Sequence, residues 1–413
     1  MNSRERVLSA LNHIQPDRVP LDLGGHRSSN FSVQAYKNFR EFMGMEPDTL
    51  YIYDVIQQLV IPADDVIEKF RVDVVDLGRG FRNDPGFWKD WTQHDGLQVK
   101  IPAYVDLRNE NDDTWMYNGK GEKIAVQTAD SLYFEQTRFP RNNILSDDFS
   151  NLEDNCHDVM WFEVGGPPAP LGYEGEDLKK RKESAKSLRE STDKAIYGLF
   201  GGNFYEAAQL IFKMDNAYLN MAAEPKLMHK FLNAMLEMHK VNLKKYLDAA
   251  GDYLDILGVG DDLGMQTGPQ ISTEMYRDMF KPYQKELWRY AKELKPHLKL
   301  CMHCCGGIAP LLPDIIDAGM DAINPVQISC DGMAPAELKK EFGKDITFWG
   351  GGCDTQIILP TATPQEVREH VKRNIDEWFK DGGFVFQQVH NILGNVPPEN
   401  ILAMLETVKE YME

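Results

Sequence analysis

Two short stretches decide the fold of this chain: Leu298-Lys-Leu-Cys-Met-His-Cys-Cys-Gly306 and Phe348-Trp-Gly-Gly-Gly-Cys353. Each contains a short apolar run followed by glycine, and the first leads into a helical apolar pattern from Ile308 to Ala318. This pattern is typical of a β-strand that leads into an α-helix. The chemically active side chains then lie at the carboxyl end of the strand.

The side chains at these two strand ends are metal ligands by type. Residues two apart on a strand point to the same side, so we expect His303 and Cys305 to share a face and Cys304 to point away. One imidazole and two thiolates, with Cys353 as the second, make a three-ligand Zn²⁺ site with an open fourth position, as in catalytic zinc sites. The alternative is that these cysteines are small buried hydrophobic residues.

Apolar strands and helices alternate along most of the chain, which predicts an α/β fold. The strand candidates are Arg18–Gly24, Val72–Gly78, Ala195–Phe200, Tyr253–Gly260, the strand that ends near His303, Ala322–Val326, Ile346–Trp349 and Phe384–His390. Eight strands with helices between them predict a TIM (β/α)8 barrel, one domain over residues 1–413. Catalytic groups of such barrels lie at the carboxyl ends of the strands, where His303, Cys305 and Cys353 are expected to converge.

The residue composition and the hydrophobic pattern change between Arg79 and Asn143. Tryptophan and tyrosine residues are scattered among glycine and aspartate turns, and Asn118-Gly119 is a hairpin signal. We predict a β-rich subdomain inserted after the second strand. Its aromatic residues are either its own core or part of a roof over the substrate pocket.

Other polar residues follow predicted strand ends. Asp261 or Asp262 could hydrogen-bond a ligand histidine, or cap a helix; we take Asp262 as a catalytic candidate. His390 is a second candidate, against the alternative of a satisfied core histidine. The run Gly24-Gly-His-Arg-Ser28 follows the first strand and either lines the pocket or forms a turn.

Composition excludes several classes of partner. The net charge of −19 argues against nucleic acid and anionic membrane surfaces. No apolar run approaches membrane-spanning length, and the N-terminus carries no signal peptide. Six cysteines in 413 residues do not form a disulfide framework, so a reducing cytoplasm is expected. Assembly into a homo-oligomer is left open.

Several motifs resemble those of the uroporphyrinogen decarboxylase-like superfamily. They are His303-Cys-Cys-Gly306, Asn324-Pro-Val-Gln327, Phe348-Trp-Gly-Gly-Gly-Cys-Asp-Thr-Gln356, His390-Asn391 and Val396-Pro-Pro-Glu-Asn400. The decarboxylases themselves carry an N-terminal Arg-Gln-Ala-Gly-Arg stretch for the carboxylates of their substrate. The matching stretch Leu23-Gly-Gly-His-Arg-Ser-Ser-Asn30 lacks it, and a chain of charge −19 is poorly suited to a polyanionic porphyrinogen.

The His-x-Cys and later Cys resemble the corrinoid-dependent methyltransferase branch of that superfamily. This resemblance implies zinc on His303, Cys305 and Cys353. The size of the insertion is similar to that of O-demethylase methyltransferases, which move methyl from a methoxylated aromatic compound to the cob(I)alamin of a corrinoid protein. The expected partners are therefore a small methyl donor and a cobalamin-carrying protein. Alternatives are coenzyme M-type methyl transfer from methylcobalamin to a thiol, uroporphyrinogen decarboxylation, or a non-catalytic docking subunit.

Overall fold

The computed structural model describes residues 1–164 and 175–412, and in this part of the chain a seven-stranded parallel sheet forms the centre. In spatial order its strands are Phe384–Val385, Thr347–Trp349, Ala322–Asn324, Lys299–His303, Ile256–Gly260, Ala195–Gly201 and Val74–Asp76. Neighbouring strands pair in parallel throughout. From Val74–Asp76 onward, spatial order follows chain order, as in a barrel wound from βα units.

The segment after the first helix closes the barrel. Leu21 forms a parallel bridge with Phe386. The N–H of Asp22 donates to the carbonyl of Phe386 at 2.9 Å, and that of Asp73 to the carbonyl of Leu21 at 2.8 Å. Proline has no N–H to donate, so Pro20 limits this segment to sparse pairing. It lies between the two outer strands of the sheet, and the predicted TIM barrel is confirmed.

Every strand of the sheet contributes a side chain to one interior cluster. Its strand members are Val74, Ala195, Tyr197, Ile256, Cys301, Ala322, Trp349 and Val385. The first helix, Ser3–Leu11, adds Val7, Ala10 and Leu11 to the same cluster. The barrel therefore has a packed core that the N-terminal helix covers at one end.

Helices surround the sheet. The α-helices are Ser3–Leu11, Val33–Phe42, Asp64–Lys69, Leu152–Cys156, Met160–Glu163, Gly175–Ser191, Tyr205–Phe212, Met214–Ala223, Pro225–Ala250, Thr273–Met275, Lys281–Leu294, Leu312–Asp317, Pro335–Phe342, Ile358–Thr361, Pro364–Trp378 and Pro398–Glu410. A π-helical turn, Tyr276–Phe280, joins two of them. None of the helices described is long and apolar enough to cross a membrane.

Antiparallel strands occupy the stretch between Arg79 and Asn143. Trp88–Thr92 pairs with Gln98–Pro102, and a four-stranded sheet contains Asp106–Glu110, Asp113–Tyr117, Lys123–Gln127 and Glu135–Gln136. The Asn118 side chain accepts from the N–H groups of Lys120 (3.0 Å) and Glu122 (2.9 Å) and so fixes the turn of the central hairpin. A short pair before the insertion, Ile52–Asp54 with Leu59–Val60, lies beside it, because the Lys100 N–H donates to the Leu50 carbonyl at 2.8 Å.

The buried carboxylate of Asp73 forms ion pairs and hydrogen bonds with several segments at the N-terminal end of the barrel. Asp73 immediately precedes the strand Val74–Asp76 and its side chain is fully buried. It accepts from Arg6 Nη1 at 2.8 Å, from both Nη atoms of Arg18 at 2.8 Å, and from the Leu21 N–H at 3.0 Å. One side chain thus links the first helix, the closing segment and the sheet.

Replacing Asp73 should destabilise the protein strongly. Asp73→Ala leaves two guanidinium groups without a buried partner, and we expect the free energy of unfolding to fall by about 3–5 kcal/mol. Asp17→Ala is the matched control, because Asp17 also pairs with Arg6, at 2.7 Å, but its side chain is 41% exposed. That change should cost about 1 kcal/mol or less. Chemical unfolding followed by circular dichroism measures both, and equal losses would contradict the assignment.

Candidate active site

His303, Cys305 and His390 come together at the carboxyl ends of the strands. One ligand atom from each lies within 4.8 Å of the others, and all three residues are partly buried. Cys305 Sγ is 3.4 Å from His303 Nε2. In a tetrahedral site with Zn–S of about 2.3 Å and Zn–N of about 2.05 Å, sulfur and nitrogen are about 3.6 Å apart. The separation of Cys305 Sγ and His303 Nε2 therefore suits two ligands of one zinc ion.

A hydrogen-bond network fixes the orientation of His303. Its Nδ1 is 2.7 Å from the side-chain oxygen of Asn324. The Asn324 amide nitrogen donates to the carbonyl of Trp349 at 2.9 Å and to Gln387 Oε1 at 2.8 Å. With the amide so oriented, the oxygen accepts, and His303 carries its proton on Nδ1. The unprotonated Nε2 then faces Cys305, as a metal ligand requires.

The two aspartates after the fourth strand have different roles. Asp261 is fully buried and accepts from the N–H groups of Phe204 (2.9 Å) and Glu206 (3.0 Å) at the start of the helix Tyr205–Phe212. Burial raises the pKa of Asp261 to about 6. Asp262 turns the other way: its Oδ1 accepts from the Cys305 N–H at 2.7 Å and lies 3.7 Å from His303 Nε2. Of the pair, Asp262 faces the cluster and Asp261 caps a helix.

Glycine allows the loops after two strands to touch. A Cβ on Gly306, which has φ +91°, would lie 2.3 Å from the carbonyl carbon of Gly264. The Gly264 N–H donates to the Cys305 carbonyl at 3.1 Å. This backbone contact holds the loop that carries Asp262 against the loop that carries Cys305.

The protonation states of the ligands suit a metal. Burial, and then the neighbouring His303, lower the pKa of His390 to about 4. The ring is neutral near pH 7, which is the form that binds metal. Burial raises the pKa of the Cys305 thiol well above its usual range, and the nearby Asp262 carboxylate adds to this. A bound divalent cation reverses that preference and stabilises the thiolate.

Cys353 is not part of this group in the described structure. Its side chain is fully buried, and its Sγ lies 3.7 Å from the carbonyl of Asp354. The described structure brings His390, and not Cys353, next to His303 and Cys305. The ligand set His303, Cys305 and Cys353 stays a prediction. Cys304 points away from the cluster, as strand alternation predicts, and its sulfur accepts from the Leu263 N–H at 3.3 Å. His390 was predicted at the pocket but not as a ligand; its position at the end of the last strand was the signal.

Residues of the first-strand loop lie next to the cluster. The His26 ring stacks on His303 with centroids 5.3 Å apart. The next residue, Arg27, pairs with Asp54 at 3.0 Å and lies over the Trp161 ring at 5.2 Å. Burial, and then the Asp54 charge, raise the pKa of Tyr133 in the insertion to about 12. Arg27 thus links the loop beside the cluster to Trp161, and the charge of Asp54 acts on Tyr133, which lies between residues 79 and 143.

The family sequence model described as Uroporphyrinogen decarboxylase (URO-D) matches residues 166–411, more than half of the chain. The chain belongs to this family. The predicted superfamily is therefore confirmed, with a barrel and a strand-end cluster in keeping with an enzyme family.

Curated relatives of this URO-D family protein include two bacterial uroporphyrinogen decarboxylases. That of Chlorobium limicola is 27% identical over 195 residues, which cover 46% of this chain and 51% of the relative. That of Wolinella succinogenes is 22% identical over 292 residues, which cover 70% and 77%. The alignment thus spans only about half the length of the first relative. A methyltransferase structure from Methanosarcina mazei covers 100% of both chains with a TM-score of 0.59 and 15% identity, a likeness of fold.

Adjacent cysteines should differ sharply in their effect on bound metal. Cys305→Ala removes a donor atom of the cluster, and we expect bound zinc to fall from about one per chain to near zero after dialysis. Cys304→Ala is the matched control and should leave zinc content nearly unchanged, because its sulfur faces the Leu263 N–H. Elemental analysis of the purified variants measures the difference. Equal losses would mean that the two side chains are on the wrong faces of the strand.

A second pair of variants identifies the third ligand. We expect His390→Ala to lose zinc and Cys353→Ala to retain about one ion per chain, since of these two residues it is His390 that lies within ligand distance of His303 and Cys305 in the described structure. Sulfur and nitrogen shells counted by X-ray absorption should give one sulfur and two nitrogens from protein. Two sulfurs, together with zinc loss in Cys353→Ala, would restore the ligand set expected from sequence.

Proposed function

We propose that this protein is a zinc-dependent methyltransferase that moves a methyl group from a methoxylated aromatic compound to the corrinoid of a partner protein. The observation that carries the proposal is the group formed by His303, Cys305 and His390. Asn324 accepts a hydrogen bond from His303 Nδ1, which leaves His303 Nε2 unprotonated and able to bind a metal. Nitrogen and sulfur donors suit zinc, and three protein ligands leave one position for a substrate.

A zinc ion held there would act as a Lewis acid on the ether oxygen and so improve a poor leaving group. Other residues of the chain would hold the loops around this ion in position. Asp262 holds the backbone of Cys305 in place, and the Gly264–Gly306 contact fixes the two loops. The corrinoid nucleophile would arrive on a separate protein, as the motif resemblance implies, since such chemistry belongs to the cofactor and the enzyme supplies orientation.

The aromatic surroundings favour an aromatic methyl donor. Trp161 lies against Arg27, and Tyr133 lies near Asp54, beside the loop that carries His26. We propose that the inserted subdomain from Arg79 to Asn143 covers the pocket from this side and contributes to donor recognition, within one barrel domain over residues 1–413.

The thiol-methylating alternative shares the same donor set. Zinc also lowers the pKa of a bound thiol, so a thiolate acceptor would use the same open position. Decarboxylation has less support, because the Arg-Gln-Ala-Gly-Arg stretch is absent from residues 23–30.

The reaction is tested with a reduced corrinoid protein and donors of the guaiacol and veratrol type. The absorption spectrum of the corrinoid measures its methylation. We expect one methylated corrinoid to form for each demethylated phenol released. Chelation should stop it, and His303→Ala should lower the rate by more than about 100-fold through lost metal while the barrel stays folded.

Two results would reject this function. A spectrum that stays unchanged with every methoxyarene, with methylcobalamin consumed when a small thiol is added, would establish the thiol acceptor. Decarboxylation of uroporphyrinogen that persists in the presence of a chelator would establish the decarboxylase.

A further inference from the structure

His26 carries a buried nitrogen that none of the residues described satisfies. The residue is 2% exposed, and its Nε2 has no hydrogen-bond partner within residues 1–164 and 175–412. Buried polar groups are almost always paired in native proteins, so an unpaired one beside a ligand cluster indicates a missing partner.

The protonation of this ring follows from its other nitrogen. The Ser28 backbone N–H donates to His26 Nδ1 at 2.9 Å. A backbone N–H can only donate, so Nδ1 is the acceptor and carries no proton. The neutral ring then has its proton on Nε2. His26 therefore presents a hydrogen-bond donor with nothing to donate to.

The direction of this donor follows from the stacking on His303. The two rings are inclined by only 29°. His303 Nδ1 lies 2.7 Å from Asn324 Oδ1, His26 Nδ1 lies 2.9 Å from Ser28 Oγ, and Ser28 Oγ donates to Asn324 Oδ1 at 2.8 Å. The Nδ1 atoms of His26 and His303 thus both face the hydrogen-bonded pair Ser28 Oγ and Asn324 Oδ1. In stacked rings, both Nε2 atoms then face away from that pair. His26 Nε2 is thus a buried atom on the side of the paired rings where His303 Nε2 faces Cys305.

We propose that His26 Nε2–H donates a hydrogen bond to the substrate oxygen from which the methyl group departs. This rests on the proposed function. In that reaction the carbon–oxygen bond breaks and its electron pair stays on oxygen, while the corrinoid cobalt supplies the pair for the new carbon–cobalt bond. The oxygen gains negative charge, and a preorganised N–H aimed at it stabilises that charge as an oxyanion-hole donor does. The Tyr197 ring packs nearly perpendicular to the His26 ring, with ring centroids 4.9 Å apart, and helps to hold it in place.

The test measures phenol binding to the cobalt(II)-loaded protein from its visible absorption spectrum. His26→Phe keeps an aromatic ring but removes the donor, and the phenol dissociation constant should rise by about tenfold or more. His26→Gln keeps an N–H donor and should remain within about threefold of the wild type. 2-Mercaptoethanol, whose sulfur is a weak acceptor, should bind equally to all three proteins. Metal content and circular dichroism verify that each variant is loaded and folded.

Each result decides for or against the His26 donor. Equal phenol affinity in the wild type and His26→Phe overturns it and leaves the proposed function standing. Phenol that fails to bind the wild type overturns it too, and thiol binding in that case favours the alternative function. Phenol binding that depends on His26, in a protein that demethylates no methoxyarene, supports the donor and rejects the reaction. If His26→Phe does not fold, ¹⁵N spectra of the histidine-labelled wild type decide: a proton on Nδ1 overturns the assignment, and a proton on Nε2 supports it.

Discussion

The hydrogen bond between His303 Nδ1 and Asn324 Oδ1 is the interaction on which the rest of the site depends. The two residues face each other in the register of neighbouring strands, and the Cys304 N–H donates to the Asn324 carbonyl at 2.7 Å. Parallel pairing alone therefore delivers the amide to the imidazole. Because the Asn324 amide nitrogen has two acceptors of its own, the network has one arrangement, and fully satisfied buried networks are rigid. A ligand atom held this way loses little entropy when metal binds.

The barrel could be predicted from sequence, whereas the position of His390 beside His303 and Cys305 could not. Apolar runs and their spacing are local signals. The alternation of side chains along a strand also correctly places Cys305 and Cys304 on opposite faces. This alternation does not continue after Trp349, because Gly350 (φ +131°) and Gly351 (φ +68°) take backbone conformations that no extended strand has. The Cys353 Sγ lies 3.7 Å from the carbonyl of Asp354. The loop of His390 is fixed by contacts distant in sequence, such as the Val389 N–H donating to the Cys353 carbonyl at 2.8 Å.

The same limit applies to the first-strand loop. The sequence marked residues 24–28 as either a pocket lining or a turn, and no local pattern distinguishes the two. The contact that decides it joins Ser28 to Asn324, which are 296 positions apart. Closure of the barrel by the segment around Leu21 brings them together, so the role of His26 follows from the fold and not from its neighbours in the chain. The choice between Asp261 and Asp262 likewise depends on which of them meets the Cys305 loop.

Exchange of a cysteine for a histidine in the ligand set changes the charge that a substrate would meet. Two thiolates and one imidazole neutralise a divalent cation, whereas one thiolate and two imidazoles leave one unit of positive charge. Asp262 Oδ1 lies 3.7 Å from His303 Nε2 and accepts from the Cys305 N–H at 2.7 Å, so its charge offsets part of this excess from outside the proposed ligand set. The less neutralised cation would be the stronger Lewis acid. An ether oxygen needs such activation because it must leave with the electron pair of the carbon–oxygen bond, whereas a thiol acts as the nucleophile and only has to lose its proton. In the proposed function, a ligand set that contains His390 would therefore favour the methoxyarene over the thiol as substrate.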